Sequence, residues 1–240
     1  LFNQVVVLTG GAGGIGTATA KALAAAGAKV AIGDLDGDAA AALADSLGEG
    51  HYGAELDVTD YAGFEKFVDE AEAELGPLYA IVNNAGLMPL NAFDEEPREI
   101  TELQINVNLY GVINGTQIAM HKLKPLRRGQ IVNIASQAGK TGFPGGATYC
   151  ATKFAVVGLS EAVRNELHGT GVGVTCVMPG VVDTRLGAGL SQPGFVELVT
   201  PQEVADGIVR GIVEDRPEIW LPKMTRAMIP SGATARPQSV

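Results

Sequence analysis

Cysteine is scarce: Cys150 and Cys176 are the only two in 240 residues, so one bridge is the most they allow and no disulfide framework exists. None is needed, because a chain of this length buries roughly 70–75% of the surface its unfolded form exposes. The two thiols are expected to be small buried hydrophobes in a reducing compartment, the cytoplasm by default. Positive charge is also short: 17 Lys and Arg stand against 27 Asp and Glu, a formal charge of −10. A partner gripped by its phosphate backbone is thereby excluded, since counterion release needs a basic surplus, and no nucleic acid is expected. The three histidines, His51, His121 and His168, are too scattered for a metal site, and none is expected. Long apolar runs are missing as well. The longest uncharged stretch, Gln104 to Met120, contains Asn106, Asn108, Asn114 and Gln117, which reads as a buried helix rather than a membrane span. The opening Leu1-Phe2-Asn3-Gln4 has neither the basic nor the apolar region of a secretion signal.

What the chain has in quantity is glycine, 32 residues, and alternation between short β-branched runs and longer amphipathic ones. Strands are expected at Val5–Leu8, Val30–Gly33, Tyr52–Leu56, Leu78–Val82, Ile131–Ile134 and Val172–Val177. Helices are expected at Gly14–Ala26, Gly37–Leu47, Tyr61–Leu75, Pro97–Leu123, Thr148–Leu167 and Pro201–Glu214. Runs such as Val5-Val6-Val7-Leu8 are apolar on both faces, which suits a parallel sheet covered by helices on each side. The expectation is a single α/β domain over residues 1–230, a doubly wound, mostly parallel sheet of about seven strands. Residues 180–200, rich in glycine, read as a substrate loop, and 231–240 as a flexible tail.

After the first strand comes Thr9-Gly10-Gly11-Ala12-Gly13-Gly14-Ile15-Gly16. Such glycines let the backbone turn sharply and bring a helix N-terminus, with its free N–H groups, against a pyrophosphate. With this much glycine the spacing alone arises roughly 0.6 times by chance, so context decides. The loop follows a strand, opens a helix, and is trailed by Asp34, eighteen residues beyond Gly16 at the end of the second strand, where an acid meets an adenosine ribose. The candidate dinucleotide contacts here are Gly10, Gly13, Gly14, Ile15, Gly16, Asp34 and Leu35. A carboxylate accepts hydrogen bonds from a ribose 2′-hydroxyl and repels a 2′-phosphate, and Gly33, Leu35 and Asp36 offer no cation, so NAD is favoured over NADP. Asp34 as a cap for the Gly37 helix is the plain alternative.

Tyr149 and Lys153 lie four apart on one helix face. An ammonium beside a phenol lowers its pKa and makes it a general base near neutrality. Ser136 follows the Ile131–Ile134 strand, thirteen residues before Tyr149, at the edge where ligands of open α/β sheets bind. There it can hydrogen-bond a substrate oxygen while the tyrosine exchanges the proton. Nucleophilic hydrolysis is the competing chemistry, but Ser136 lacks a G-x-S-x-G elbow and a linked histidine.

Together these residues resemble the short-chain dehydrogenase/reductase family over nearly the whole chain. The resemblance rests on Thr9-Gly10-x-x-x-Gly14-x-Gly16, Asp57, Asn83-Asn84-Ala85-Gly86, Ser136, Tyr149-x-x-x-Lys153 and Pro179-Gly180-Val181-Val182-Asp183-Thr184. It implies a Rossmann sheet in which Asp57 and Val58 border the adenine and Asn84, Ala85 and Gly86 line the cofactor path. Pro179, Gly180, Val182 and Thr184 would hold the nicotinamide end, and Tyr149 and Lys153 would touch the ribose. It also implies a catalytic tetrad of Asn108, Ser136, Tyr149 and Lys153, in which the asparagine fixes a water, with Asn106 as rival for that place and a core amide bonded to backbone as the plain alternative for either. The reaction implied is NAD-dependent interconversion of a secondary alcohol and a ketone.

Leu87, Met88, Leu90, the 138–146 segment with Phe143, and the 181–195 loop are the candidate substrate walls. They are mostly apolar, which favours a lipophilic or alicyclic substrate, while Lys140 and Arg185 would suit a carboxylate. The 149–167 helix is apolar around more than one face, and in the resembled family it pairs across dimer faces, so a homodimer or homotetramer is expected. Two other functions stay open: an NADPH-dependent 3-oxoacyl-type ketoreductase, and a non-catalytic nucleotide-sensing protein.

Overall fold

The computed structural model describes residues 1–184 and 198–228. In chain order these form β1 (Val5–Thr9), α1 (Gly14–Ala25), β2 (Lys29–Asp34), α2 (Gly37–Leu47), β3 (Tyr52–Glu55), α3 (Tyr61–Leu75) and β4 (Leu78–Asn83). Then come α4 (Arg98–Ile105), a π-helical segment (Asn106–Tyr110), α5 (Gly111–Leu126), β5 (Gly129–Ile134), a 3₁₀ turn (Gln137–Gly139) and α6 (Ala147–Glu166). The chain continues through β6 (Val172–Pro179), α7 (Pro201–Glu214), β7 (Glu218–Leu221) and α8 (Thr225–Met228). The seven strands form one sheet in the order β3-β2-β1-β4-β5-β6-β7, and every pairing is parallel. This is the doubly wound α/β architecture. Between β1 and β4 the winding reverses, and the crevice beyond their C-terminal ends is where such sheets bind ligands.

Strand periodicity sorts the core into two layers. Val6 and Leu8 of β1 join Val30, Ile32, Ala80, Val82 and Val132 against α1, α2 and α7, through Ala20, Leu23, Ala40, Val204 and Ile208. Val5 and Val7 face the other way, with Ala31, Ile81 and Ile131, toward Phe64 and Val68 of α3, Ile118 and Leu123 of α5, and Leu167 after α6. Burial on both sides is why these strands read as unbroken apolar runs. Among the described residues no helix is long and apolar enough to cross a membrane.

Two elements differ from expectation. The helix expected over 97–123 is three segments, because a π turn interrupts it at Asn106–Tyr110 and α5 then runs on to Leu126. The seventh strand, which the sequence pattern had not located, is Glu218–Leu221. It is only four residues long, and its burial comes from pairing with β6 and packing on α7, which no local period announces.

The start of α7 carries a capping box. Glu203 N donates to the Thr200 hydroxyl at 3.2 Å, Thr200 N donates to the Glu203 carboxylate at 2.8 Å, and Pro201 opens the helix. Thr200→Ala is expected to lower the unfolding free energy by about 1 kcal/mol. The check is a lower urea midpoint at unchanged slope.

Candidate active site

Parallel strands end on the same edge, so the loops after β1, β2, β3, β4, β5 and β6 meet there. At the centre is the glycine turn. Gly10 has φ +64°, and a Cβ on it would stand 2.8 Å from the Ala85 Cα. A Cβ on Gly16 would stand 2.2 Å from the Gly10 carbonyl oxygen, so any side chain there would force the loop apart. The N-cap of α1 is Gly13, with no capping side chain and no acid in the first turn. The orphan N–H groups of that turn, at the positive end of the helix, fit an anion. Gly14 lies under Thr184, whose methyl would be 2.9 Å from an added Cβ. The loop after β6 thus reaches the same helix end.

Thr9 latches this turn to β4: its hydroxyl accepts from the backbone N–H groups of Asn84 and Ala85, both at 3.0 Å. The Asn84 side-chain amide returns two bonds, to the Thr9 carbonyl at 2.9 Å and the Gly10 carbonyl at 3.0 Å. Asn84 therefore braces the glycine loop with its side chain. Thr9 was not among the candidate contacts, and its position before Gly10 was the one signal for it.

One oxygen of Asp34 accepts from Ala12 N at 2.9 Å and the other from Asp36 N at 3.2 Å. The capping role considered for Asp34 belongs instead to Asp36, which accepts from Ala39 N at 2.9 Å. Leu35, beside the acid, is 66% exposed. Ile15 packs partly into the core beneath the loop. Asp57 forms a local turn, accepting from Thr59 N and its hydroxyl at 2.9 and 2.7 Å. Val58 is buried over Gly111, and its carbonyl accepts from Asn114 Nδ2 at 2.9 Å. Asn114 is a support that sequence patterning did not single out.

Beyond β5, the Ser136 hydroxyl accepts from Ala138 N at 3.1 Å and donates to the Pro179 carbonyl at 3.4 Å. Gly180 N donates to the Leu221 carbonyl at 2.7 Å, and Val182 bridges to Val199. The remainder of the expected substrate loop, 185–197, and the expected tail lie outside the described residues.

Tyr149 and Lys153 sit one turn apart on the buried face of α6. Lys153 Nζ lies 5.7 Å from the Tyr149 ring centroid and donates to the Ile134 carbonyl at 2.9 Å. Asn108 is wholly buried in the π segment, whereas Asn106 is exposed. The Asn108 amide clasps the Leu87 backbone in both directions, each at 2.9 Å, and also donates to the Thr152 hydroxyl at 3.4 Å. A Cβ on Gly86 would meet Asn108 Oδ1 at 3.2 Å and Lys153 Nζ at 3.6 Å, so this glycine leaves room where those two polar groups converge.

The acidity expected of the phenol is not found in the protein by itself. Burial pushes Tyr149 up to about 12, against a smaller downward pull from the Ser136 hydroxyl. Burial also pushes Lys153 down to about 8, which weakens the positive charge it offers. Desolvation penalises both charged forms, and the i,i+4 pairing does not offset it.

Cys150 and Cys176 are buried and free, and burial raises both thiol pKa values, Cys176 to about 11. They are unreactive packing residues. His51 is equally structural, its Nδ1 accepting from Val30 N at 3.1 Å. Among the described residues no cluster of potential metal ligands occurs.

The family model for the short chain dehydrogenases matches residues 4–193. The chain belongs to the short chain dehydrogenase family. Curated relatives within it include a 3beta-hydroxysteroid dehydrogenase 2 of Eggerthella lenta, 37% identical over 205 residues, 80% of this chain and 76% of that one. An L-2,3-butanediol dehydrogenase of Corynebacterium glutamicum is 37% identical over 77% of this chain and 74% of its own length. A D-threitol dehydrogenase of Mycolicibacterium smegmatis is 37% identical over 78% and 73%. The crystal structure of a 3-ketoacyl-(acyl-carrier-protein) reductase from Brucella melitensis complexed with NADH superposes with a TM-score of 0.85. It covers 92% of this chain and 97% of that one at 24% identity, a likeness of fold. The short chain dehydrogenase assignment makes the protein a member of an oxidoreductase family on a Rossmann sheet.

Proposed function

We propose that this short chain dehydrogenase is an NAD-dependent oxidoreductase that interconverts a secondary alcohol and a ketone, with Tyr149 as general acid and base. The observation that carries this reading is the convergence of Tyr149, Ser136, Lys153 and Asn108 at the sheet edge beside an uncapped, glycine-walled helix end. A bound dinucleotide would supply a nicotinamide ring, one carbon of which exchanges hydride and which carries one positive charge when oxidised.

The chain's residues do the rest. Gly10, Gly13, Gly14, Ile15 and Gly16 would line the pyrophosphate with backbone N–H groups, Asp34 would take the adenosine ribose hydroxyls beside Leu35, and Asp57 and Val58 would border the base. Asn84, Ala85 and Gly86 keep the path open, and Pro179, Gly180, Val182 and Thr184 close it. In reduction, Tyr149 gives its proton to the carbonyl oxygen while Ser136 donates a hydrogen bond to it. The buried phenol, held protonated, is the form this direction needs. In oxidation, Tyr149 takes the hydroxyl proton, and positive charge near the phenol oxygen favours that step. Lys153 provides such charge below about pH 8. Asn108 holds the Leu87 backbone and leaves the space at Gly86 for a relay water.

Met88 and Phe143 pack with Ala138, Tyr149 and Cys150 into an apolar cluster around the tyrosine ring. That wall supports a lipophilic or alicyclic substrate, in keeping with a hydroxysteroid dehydrogenase among the relatives. Turnover of hydroxysteroids, cyclic alcohols and 2,3-diols with NAD, followed by nicotinamide absorbance, tests the function. Cofactor binding with no turnover across the panel would instead favour a nucleotide sensor.

Cofactor choice rests on Asp34. Asp34→Ser is expected to lower kcat/KM for NAD about tenfold and raise that for NADP by a similar factor, because a repelling carboxylate is removed from the 2′ position. Steady-state kinetics with both dinucleotides reads this directly. A wild-type preference for NADPH would support the 3-oxoacyl-type reductase.

Homodimer or homotetramer assembly is part of the same reading. The first half of the outer face of α6 is apolar, with Ala151, Phe154 and Gly158 exposed, Phe154 by 47%, before Glu161, Asn165 and Glu166 make its far end polar. Tyr110, on the neighbouring π segment, is 54% exposed. Sedimentation of the wild type tests the assembly, and a monomer at micromolar concentration would refute it.

A further inference from the structure

Glu96 precedes α4, ten residues beyond Gly86, and no motif marks it. Its carboxylate nevertheless gathers three side-chain donors from two helices. Thr101 of α4 donates at 2.6 Å and Gln104 of α4 at 3.2 Å, while Thr148 in the first turn of α6 donates to the same oxygen that Thr101 uses. Gln104 and Thr148 are themselves buried. Among the described residues Gln104 Oε1 has no partner, the amide being turned to put its N–H on Glu96. Burial works against ionisation of Glu96, but the bonds from Thr101, Thr148 and Gln104 outweigh it and hold the carboxyl below its ordinary range.

The bonds form a two-rung ladder between α6 and the helix carrying Asn108. In the upper rung, Thr148 and Gln104 are joined through Glu96. In the lower rung, Thr152 and Asn108 are joined directly at 3.4 Å. Residues 148 and 152 are one turn apart, as are 104 and 108 apart from the π turn between them. Each rung on α6 is followed by a reactive residue, Tyr149 after the first and Lys153 after the second. A backbone bond from Asn91 N to the Gly145 carbonyl at 3.0 Å ties the segment before Glu96 to the residues before α6.

We infer that Glu96 is a positioning residue that sets the roll of the first turn of α6, and hence the direction of the Tyr149 hydroxyl, by clamping Thr148 to Gln104. This rests on the oxidoreductase function proposed above. Displacement of a reacting group by a fraction of an ångström is felt in the chemical step more than in binding. Glu96→Ala is therefore expected to lower kcat about tenfold or more while KM for NAD stays within about twofold. Glu96→Gln keeps an oxygen for the two threonine hydroxyls and should recover most of the loss. Thr148→Val should reproduce the defect, and the double variant should be no worse than either single one.

Two results would overturn the inference: full additivity of the two substitutions, or a Glu96→Ala enzyme with unchanged kcat. A readout free of turnover separates it from the proposed function. Amide hydrogen exchange at Ala151 to Lys153 should quicken about tenfold in Glu96→Ala while β1 and β5 keep their protection. Unchanged exchange there refutes the clamp even in an active enzyme. Faster exchange in a protein that turns over no alcohol or ketone refutes the enzymatic function and leaves the clamp standing.

Discussion

Tyr149→Phe is expected to reduce turnover by about a thousandfold, the middle of the range for losing a positioned acid–base group, while cofactor affinity changes little. The substitution removes one oxygen and keeps the ring. The ring's packing survives: Phe143 lies 6.4 Å away between centroids, and Ala138 and Cys150 complete the cluster. Ser136 retains its bonds to Ala138 N and the Pro179 carbonyl, so no buried hydroxyl is stranded. The variant should therefore fold normally and bind NADH with the wild-type fluorescence change. Turnover in that folded, cofactor-binding variant within threefold of wild type would remove Tyr149 from the chemistry. In oxidation the wild-type rate should rise with pH, because burial keeps the phenol protonated.

Lys153→Met is expected to do two opposite things, abolishing most activity and stabilising the cofactor-free protein at pH 7. The ammonium is buried, its hydrogen bond runs to the Ile134 carbonyl, and its pKa is lowered from 10.5 to about 8 by desolvation. A cation with a depressed pKa opposes folding wherever it must stay charged. The sign follows from proton counting. Between about pH 8 and 10.5 the unfolded chain holds a proton that the folded chain has lost, so wild-type stability climbs with pH across that window. Below pH 8 the cost is fully present, about 3 kcal/mol for a shift of this size. Methionine fills the same space without charge, although it leaves the Ile134 carbonyl unpaired, which returns about 1 kcal/mol. The net gain expected at pH 7 is about 2 kcal/mol, shrinking to nothing or reversing above pH 10.5. Chemical denaturation at pH 7 and at pH 10.5 measures both. Equal destabilisation at the two pH values would show that the buried charge is not strained.

Lys153 illustrates how far spacing carries and where it stops. The four-residue interval placed it correctly beneath Tyr149, because an α-helix repeats every 3.6 residues whatever surrounds it. It also implied that the ammonium acidifies the phenol, which the cofactor-free protein does not bear out. That step depends on dielectric, and dielectric at α6 is set by β5, β6, the π segment and the 86–88 loop, brought in from elsewhere in the chain. Asn108 is a similar case. Two asparagines two residues apart in one expected helix look alike in sequence, and a π turn, made where α4 meets α5, buries one and exposes the other. Glu96 left no mark at all, since its three donors come from residues 101, 104 and 148.

Apolar runs, glycine punctuation and strand–helix alternation were enough by themselves to determine the doubly wound sheet, the order of its first six strands and the edge on which Asp34, Ser136 and the glycine turn meet. All of these follow from backbone geometry and local periodicity. Only the assembled molecule decided the seventh strand, the latch of Thr9 on Asn84, the protonation of Tyr149 and Lys153, and the clamp at Glu96. Burial and desolvation are sums over neighbours brought in from every part of the chain, and no window of sequence contains them.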